Sequence, residues 1–558
     1  MQKQLELRYL SADFLIIGGG TAGCYAALEF CRASDGNVII IEKANIRRSG
    51  CLAAGVNAIN AYINPGSTPE GYAAYAARDA EGIASHDILL SMARGLNDTV
   101  KRMEELGLSV LKDEFGRYSA RGAWNIKING ENIKPLLAKA VAAESRIAVF
   151  NHVWAKDFIV KEGRAVGAYA VDLKNSILYA VSAKAVLCAT GGAAGLYKPN
   201  APGFSRHKMW YPPFNSGTGY AMGLRAGAEM TSFEMRFIAL RCKGTLAPTG
   251  TLAQGVGAKQ INALGEECEG KYGRTTSQRL FAAKQEESEG RGPCFLKTTG
   301  ISKEQDEDLF KAYLNMAPSQ TLKWVESGKP PSEADVEIEG SEPYIIGGHT
   351  GSGYWVDNSR QSTIASLYAA GDASGACPQK YVSGAFAEGA IAARSAAKLL
   401  GSAPEISASS AQEEKEKLNA FFGRKDPGYT ARQLEERMQC AMDKHAGGIG
   451  SNYRYSGKSL AAAEAEILEI ESLSSFLRAE TGKDLAAIHE LRDRLLVCRA
   501  LISHLGARKE TRWRLFAEHA DYPLKDDGWL KFVNSVLRGD KIEIIIRDVE
   551  KEGSPDEH

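Results

Sequence analysis

Gly18, Gly20 and Gly23 stand in the segment Gly18-Gly19-Gly20-Thr21-Ala22-Gly23, with the spacing that seats a dinucleotide pyrophosphate. The first glycine permits a tight turn, the second lets backbone approach the phosphates, and the third lets helix and strand pack closely. Thr21 and Ala22 open the helix that follows, where free N–H groups and the helix dipole favour negative charge. Glu42 lies 19 residues beyond Gly23, the distance at which an acidic residue takes ribose hydroxyls and disfavours a 2′-phosphate.

The elements needed to position these residues are present around them. The segment 13–20, DFLIIGGG, reads as a buried strand entering a turn, 21–33 as a helix and 37–43, NVIIIEK, as a second buried strand. Continuous β-branched runs of this kind fit a parallel sheet covered on both faces. The motif alone does not separate FAD from NAD. Three later features favour FAD. Ala189-Thr190-Gly191-Gly192 ends a strand in small residues. Gly371-Asp372 ends another, with an Asp suited to a ribityl chain, and Ser383-Gly384 opens a helix whose positive end suits a reduced flavin.

Between these landmarks, helical pattern runs over 70–108 with a break at 85–87, and again over 134–145; strands occupy 158–190. The polar stretch around SKEQDEDLF and KPPSEAD suggests an inserted domain. The expected division is an FAD-binding domain over 1–258 and 344–401, a capping domain over 259–343, and a C-terminal helical domain over 402–558. The last begins with a linker at 402–414, is nearly all helix over 455–510, and ends in the strand KIEIIIRDV and a frayed acidic tail.

Lys and Arg total 68, as do Asp and Glu, so no basic excess argues for nucleic acid or an anionic membrane. None of the ten cysteines forms a C-x-x-C pair, so no iron–sulfur or zinc signature and no metal site is expected. Scattered cysteines read as reduced thiols. With no apolar run of signal or membrane-span length, a soluble cytoplasmic protein is expected.

The segments IIGGGTAG, EKANIRRSG and YAAGDASG resemble the fumarate reductase/succinate dehydrogenase flavoprotein superfamily. Within it, the chain is similar to the alpha subunit of adenylylsulfate (APS) reductases. The segments that carry this are 47–63, 128–140, 210–250, 347–357 and 510–535. The resemblance implies an α/β fold with a Rossmann-like FAD-binding domain of the GR2 type, an inserted α+β cap and a C-terminal helical domain. It implies cofactor contacts at Lys43, Ser49 and Gly50 as well. FAD should be noncovalent, because Gly50 and Cys51 follow Ser49 where covalent members carry His. The His-Pro-Thr stretch of the dicarboxylate enzymes is replaced by Arg236 to Lys243.

The implied chemistry is attack of reduced flavin N5 on the sulfur of adenosine 5′-phosphosulfate, with AMP leaving and a flavin–sulfite adduct releasing sulfite. Such a polyanion needs fixed cations and donors. The resemblance assigns Arg241 and His349 to the sulfate, and Asn60 and Glu131 to the surroundings of flavin and substrate. Trp210 and Phe386 match aromatic positions near flavin or adenine. Arg236 and Arg291 are further substrate arginines, Arg236 being equally suited to an ion pair with Glu234. Electrons would come from a ferredoxin-like beta subunit bearing two [4Fe–4S] clusters. A fumarate-reductase-like dehydrogenase and a non-catalytic FAD-bound electron-transfer scaffold are the competing readings.

Overall fold

The computed structural model describes residues 4–200, 209–246, 252–399 and 401–549. The end of the 210–250 segment and the acidic tail lie outside the described residues. Strand Glu6–Ile17 pairs in parallel with Val38–Glu42 on one side and Ile177–Cys188 on the other. Ile147–Asn151 adds beyond Val38–Glu42, and Leu367–Ala369 pairs in parallel with the end of Ile177–Cys188. The antiparallel strands Arg164–Asp172 and Val153–Lys161 complete a seven-stranded sheet. Phe14 to Ile17 and Val38 to Ile41 are all buried, as unbroken apolar runs require when helices cover both faces.

Helix Thr21–Ala33 is buried almost all round, from Ala22 to Cys31, so it is an interior helix. It crosses helix Tyr381–Ala396 at close range. A Cβ on Gly389 would lie 2.6 Å from the Ala22 carbonyl oxygen, and Tyr25 packs on Phe386 with ring centroids 4.8 Å apart. The glycine lets the N-termini of both helices converge on one edge of the sheet.

A separate four-stranded antiparallel sheet, here the cap, is ordered Leu240–Cys242, Val336–Gly340, Phe295–Lys297, Lys259–Ile261. Helices Thr276–Ser288, Lys303–Met316 and Pro318–Ser327 belong with it. Thr275 with Gln278, and Ser302 with Gln305, form capping boxes that start the first two. Strand Leu240–Cys242 lies before residue 259, so the cap takes its edge strand from chain assigned to the FAD-binding domain.

Four helices follow: Ala408–Asn419, Ala431–His445, Gly457–Ser474 and Gly482–Ala507. The stretch 402–414 is not wholly a linker, because Ser407 accepts from the Ser410 N–H and starts a helix there. The end of the chain holds two strands where one was expected, Lys531–Arg538 and Lys541–Asp548. The first pairs with Met230–Thr231, stitching the C-terminal region onto the FAD-binding domain. Among the described residues, no helix is long and apolar enough to cross a membrane.

The helix crossing gives a signed prediction. Alanine normally gains about 1 kcal/mol over glycine inside a helix, but a Cβ 2.6 Å from a backbone oxygen forces two packed helices apart, which costs about 1–3 kcal/mol. Gly389→Ala is therefore expected to destabilise the protein, as measured by urea unfolding. A gain in stability would mean that the helices separate freely.

Candidate functional site

The strands ending at Ile17, Glu42, Cys188 and Ala369 are parallel and stop along one edge of the sheet, and the backbone past each lines a single cavity of about 810 Å³. Ligands of open parallel sheets bind at such carboxyl ends. Gly18, Gly20, Thr21, Ala22, Glu42, Lys43, Ser49, Gly50, Thr190, Gly191, Gly371 and Asp372 all line it. Gly18 has φ +103°, and its Cβ would lie 2.4 Å from the Ala189 carbonyl oxygen. At Gly20 a Cβ would meet nothing within 4 Å. Its bare backbone faces open space wide enough for phosphates. Gly23 does not line the cavity; it packs under the turn, where its Cβ would lie 1.9 Å from the Gly18 oxygen.

Glu42 is held firmly: it accepts the Gly19 N–H at 2.8 Å, the Ala44 N–H at 2.7 Å and the Ser49 hydroxyl at 3.0 Å. Lys43 donates to the Phe214 carbonyl at 2.7 Å and pairs with Glu490 at 2.9 Å. Asp372 accepts from the Tyr211 hydroxyl at 2.6 Å, and burial raises its pKa. A Cβ at Gly348 would fall 1.9 Å from the Asp372 carboxylate, so only glycine fits beside it.

Ser383 and Gly384 miss the cavity. Their helix presents Tyr381, Val382 and Ala385 to it instead. The 100° advance per residue turns Gly384 toward Met92, whose sulfur a Cβ would approach to 3.0 Å. Ser383 Oγ is buried without a partner.

Beyond this cradle the wall becomes aromatic and cationic. Trp210, His349 and Asn60 line it. The His349 ring lies 4.2 Å from Phe237, 4.8 Å from Tyr381 and 5.4 Å from Trp210, measured between centroids. Its Nδ1 has no hydrogen-bond partner. Burial among these rings pushes its pKa down to about 3. Asn60 donates to the Gln379 carbonyl at 3.2 Å and to the Tyr72 hydroxyl. Asp79 accepts from the Thr276 N–H at 2.9 Å and from the Gln379 amide. It thereby ties the cap to the segment that enters helix Tyr381–Ala396.

Five expected residues sit elsewhere. Arg241 is fully buried, 3.2 Å from Glu339 and 3.8 Å from Glu342. It lies behind the wall: Tyr344 donates to Glu342 and packs 5.8 Å from Trp210. Arg236, also fully buried, donates to the carbonyls of Phe516, Ala446 and Gly447 at 2.8, 2.7 and 2.6 Å. It joins the FAD-binding and C-terminal regions, and Glu234, its alternative ion-pair partner, pairs with Arg508 at 2.8 Å instead. Arg291 is claimed by Glu286 and Glu289 on the cap. Phe386 is wholly buried against Tyr25. Glu131 is exposed in the turn before helix Ile133–Ala143.

Sequence reading missed the cations that do reach the cavity, Arg48, Arg121 and Arg279, and the aromatic pair Tyr75 and Trp124, stacked at 6.1 Å. Burial lowers the Arg121 pKa. No motif marks either Arg121 or Arg279; the cap carries Arg279 to the site on helix Thr276–Ser288.

A cradle lined by glycine with an adjoining cationic and aromatic chamber is what a dinucleotide cofactor beside an anionic substrate requires. The family model described as "FAD binding domain" matches residues 13–389. The adenylylsulfate reductase subunit alpha of Megalodesulfovibrio gigas is 29% identical over 94% of this chain and 93% of its own length. The structure of adenylylsulfate reductase from Archaeoglobus fulgidus is 31% identical, with TM-score 0.92 over 99% of this chain and 98% of that one. A structure of adenosine-5-phosphosulfate reductase in complex with sulfite, as a covalent adduct, is 30% identical with TM-score 0.92 over 99% and 98%.

His349 sets a pH prediction. With its folded pKa below the ordinary 6.5, the unfolded chain binds the proton first, so stability present above pH 6.5 is lost as pH falls toward 3. His349→Asn should flatten that loss in urea melts of the apoprotein at pH 7 and pH 5. An unchanged slope would mean the ring titrates near its ordinary value.

Proposed function

The chain belongs to the FAD binding domain family and is an FAD-dependent oxidoreductase of the adenylylsulfate reductase type, and from this premise we propose that it reduces adenosine 5′-phosphosulfate to sulfite and AMP. The observation that carries the proposal is the single cavity that joins the glycine cradle to His349, Trp210, Tyr381 and the arginines 121 and 279. When bound, FAD supplies the electron pair that reduces the sulfur. The replacement of His by Gly50-Cys51 after Ser49 supports noncovalent attachment.

The residues of the chain do the remaining work. Arg279 and Arg121 bind the phosphate and sulfonate oxygens, where bidentate charge-assisted hydrogen bonds are strongest. Charge grows on the leaving phosphate and on the sulfite oxygens as the S–O bond between them breaks, and donors already fixed in place stabilise it without having to reorganise. His349 stays neutral and turns its unpartnered Nδ1 to a sulfonate oxygen or a proton in transit. Trp210, Phe237 and Tyr381 keep water from that ring. Arg241 acts one layer back, fixing Trp210 through Glu342 and Tyr344.

The electrons come from a second subunit. The designation of the M. gigas relative as a subunit alpha supports this, and the absence of any C-x-x-C pair from the sequence supports a ferredoxin-like beta subunit with two [4Fe–4S] clusters as the donor. Balanced charge and scattered cysteines support a cytoplasmic setting.

Reduced protein mixed anaerobically with adenosine 5′-phosphosulfate should show reoxidation of the flavin band, and sulfite should bleach the oxidised band. Reoxidation by fumarate alone would overturn the assignment. Arg279→Ala should raise KM for adenosine 5′-phosphosulfate roughly tenfold or more, the worth of one charged hydrogen bond, with FAD content unchanged. An unaltered KM would remove Arg279 from the substrate site.

A further inference from the structure

The turn that faces the pyrophosphate is held from behind by a lysine of the 128–140 segment that had no role attached to it. Lys134, on helix Ile133–Ala143, is fully buried, and its Nζ donates to the Gly19 carbonyl oxygen at 2.6 Å. Cys24 Sγ donates to the same oxygen at 3.1 Å. Ser49 Oγ stands 3.4 Å from it, but its one proton goes to Glu42 at 3.0 Å. The Gly19 N–H is held by Glu42 at 2.8 Å.

A trans peptide points its carbonyl and its N–H in opposite directions. Drawing the Gly19 oxygen onto the buried Lys134 therefore aims the Gly20 N–H to the opposite side, and Gly20 is the residue of the pair that lines the cavity. The peptide lies between two glycines, where rotation meets little steric resistance. If it rotated, the carbonyl oxygen would face the phosphates and repel them. We infer that Lys134 is a positioning residue for FAD: it locks the Gly19–Gly20 peptide with its N–H toward the pyrophosphate, so that the cradle is ready before the cofactor arrives. The inference rests on FAD as the cofactor and not on the substrate assignment.

Titration of apoprotein with FAD and with riboflavin, which lacks the pyrophosphate, tests this without any turnover. Lys134→Met removes the donor and keeps an unbranched side chain. It should weaken FAD binding roughly tenfold, as loss of a charged hydrogen bond implies, leave riboflavin binding unchanged, and leave the apoprotein melting temperature close to that of the parent. An unchanged FAD Kd would overturn the inference, and so would equal weakening of both ligands, which would mark Lys134 as a general support of the fold. If Lys134→Met does not fold, Cys24→Ala, which removes the weaker donor from the same oxygen, must still lower the preference for FAD over riboflavin. An unchanged preference in that variant would also overturn it.

Discussion

Backbone has to reach the surface of a large cavity without side chains in the way, and the rest of the molecule is arranged around that constraint. Strands ending at Ile17, Glu42, Cys188 and Ala369 stop together. Just beyond them the chain leaves the sheet and runs along the cavity, its N–H groups held by neighbouring strand ends at Gly18 and Ala189 and by carboxylates at Gly19 and Gly371. Glycine stands where the chain turns or passes closely: at Gly18 against Ala189, at Gly191 beside Asn215, and at Gly348 against Asp372. Chain of this kind is floppy by itself.

Rigidity comes from buried polar side chains behind it. Glu42 and Lys134 grip the two ends of the Gly19 residue. Glu388, wholly buried, accepts the Gly371 N–H at 2.9 Å and is flanked by Arg360 at 3.2 Å and Lys380 at 3.4 Å. Arg494 reaches from the C-terminal helix Gly482–Ala507 to the carbonyls of Ala194 and Pro213, each at 3.1 Å. Buried charges of this sort are weak contributors to net stability, but removing one partner leaves the other stranded. They therefore oppose local rearrangement of the loops they hold. Arg236 does the same at the join with the C-terminal region, by capping three carbonyls.

The chamber beyond the cradle follows a different logic. His349 is kept neutral by aromatic neighbours and not by an ion pair, because burial is the cause of its lowered pKa. The cations come from separate parts of the chain, Arg121 from the loop before strand Asn125–Asn129 and Arg279 from the cap. Asp79 joins the two sides by holding both Thr276 and Gln379. The cap is thus placed relative to the floor of the site by hydrogen bonds as well as by packing.

The residues with strict local requirements were legible in the sequence. Gly18, Gly20, Gly23 and Glu42 answer to backbone geometry within one strand–turn–helix–strand unit, and the apolar runs beside them could only be buried strands. The small-residue ends at Thr190 and Gly371 carry the same local signature, whereas His349 was singled out by the family resemblance. Side-chain destinations were not legible. Ser383 and Gly384 sit on the right helix but on a face turned away from the cavity, and Phe386 went to the core because Tyr25 meets it there. Arg236, Arg241 and Arg291 are arginines of the right kind near the right segments, yet each found carbonyls or carboxylates inside the fold. Arg121 and Arg279 had no pattern to betray them, and Lys134 stood in the 128–140 resemblance with nothing local to mark its role. The sequence by itself determined where backbone must approach a cofactor, since that depends on residue type and short spacing. Which long side chains reach the cofactor or substrate was decided only by tertiary structure, because several segments distant in the chain compete for the same few charges.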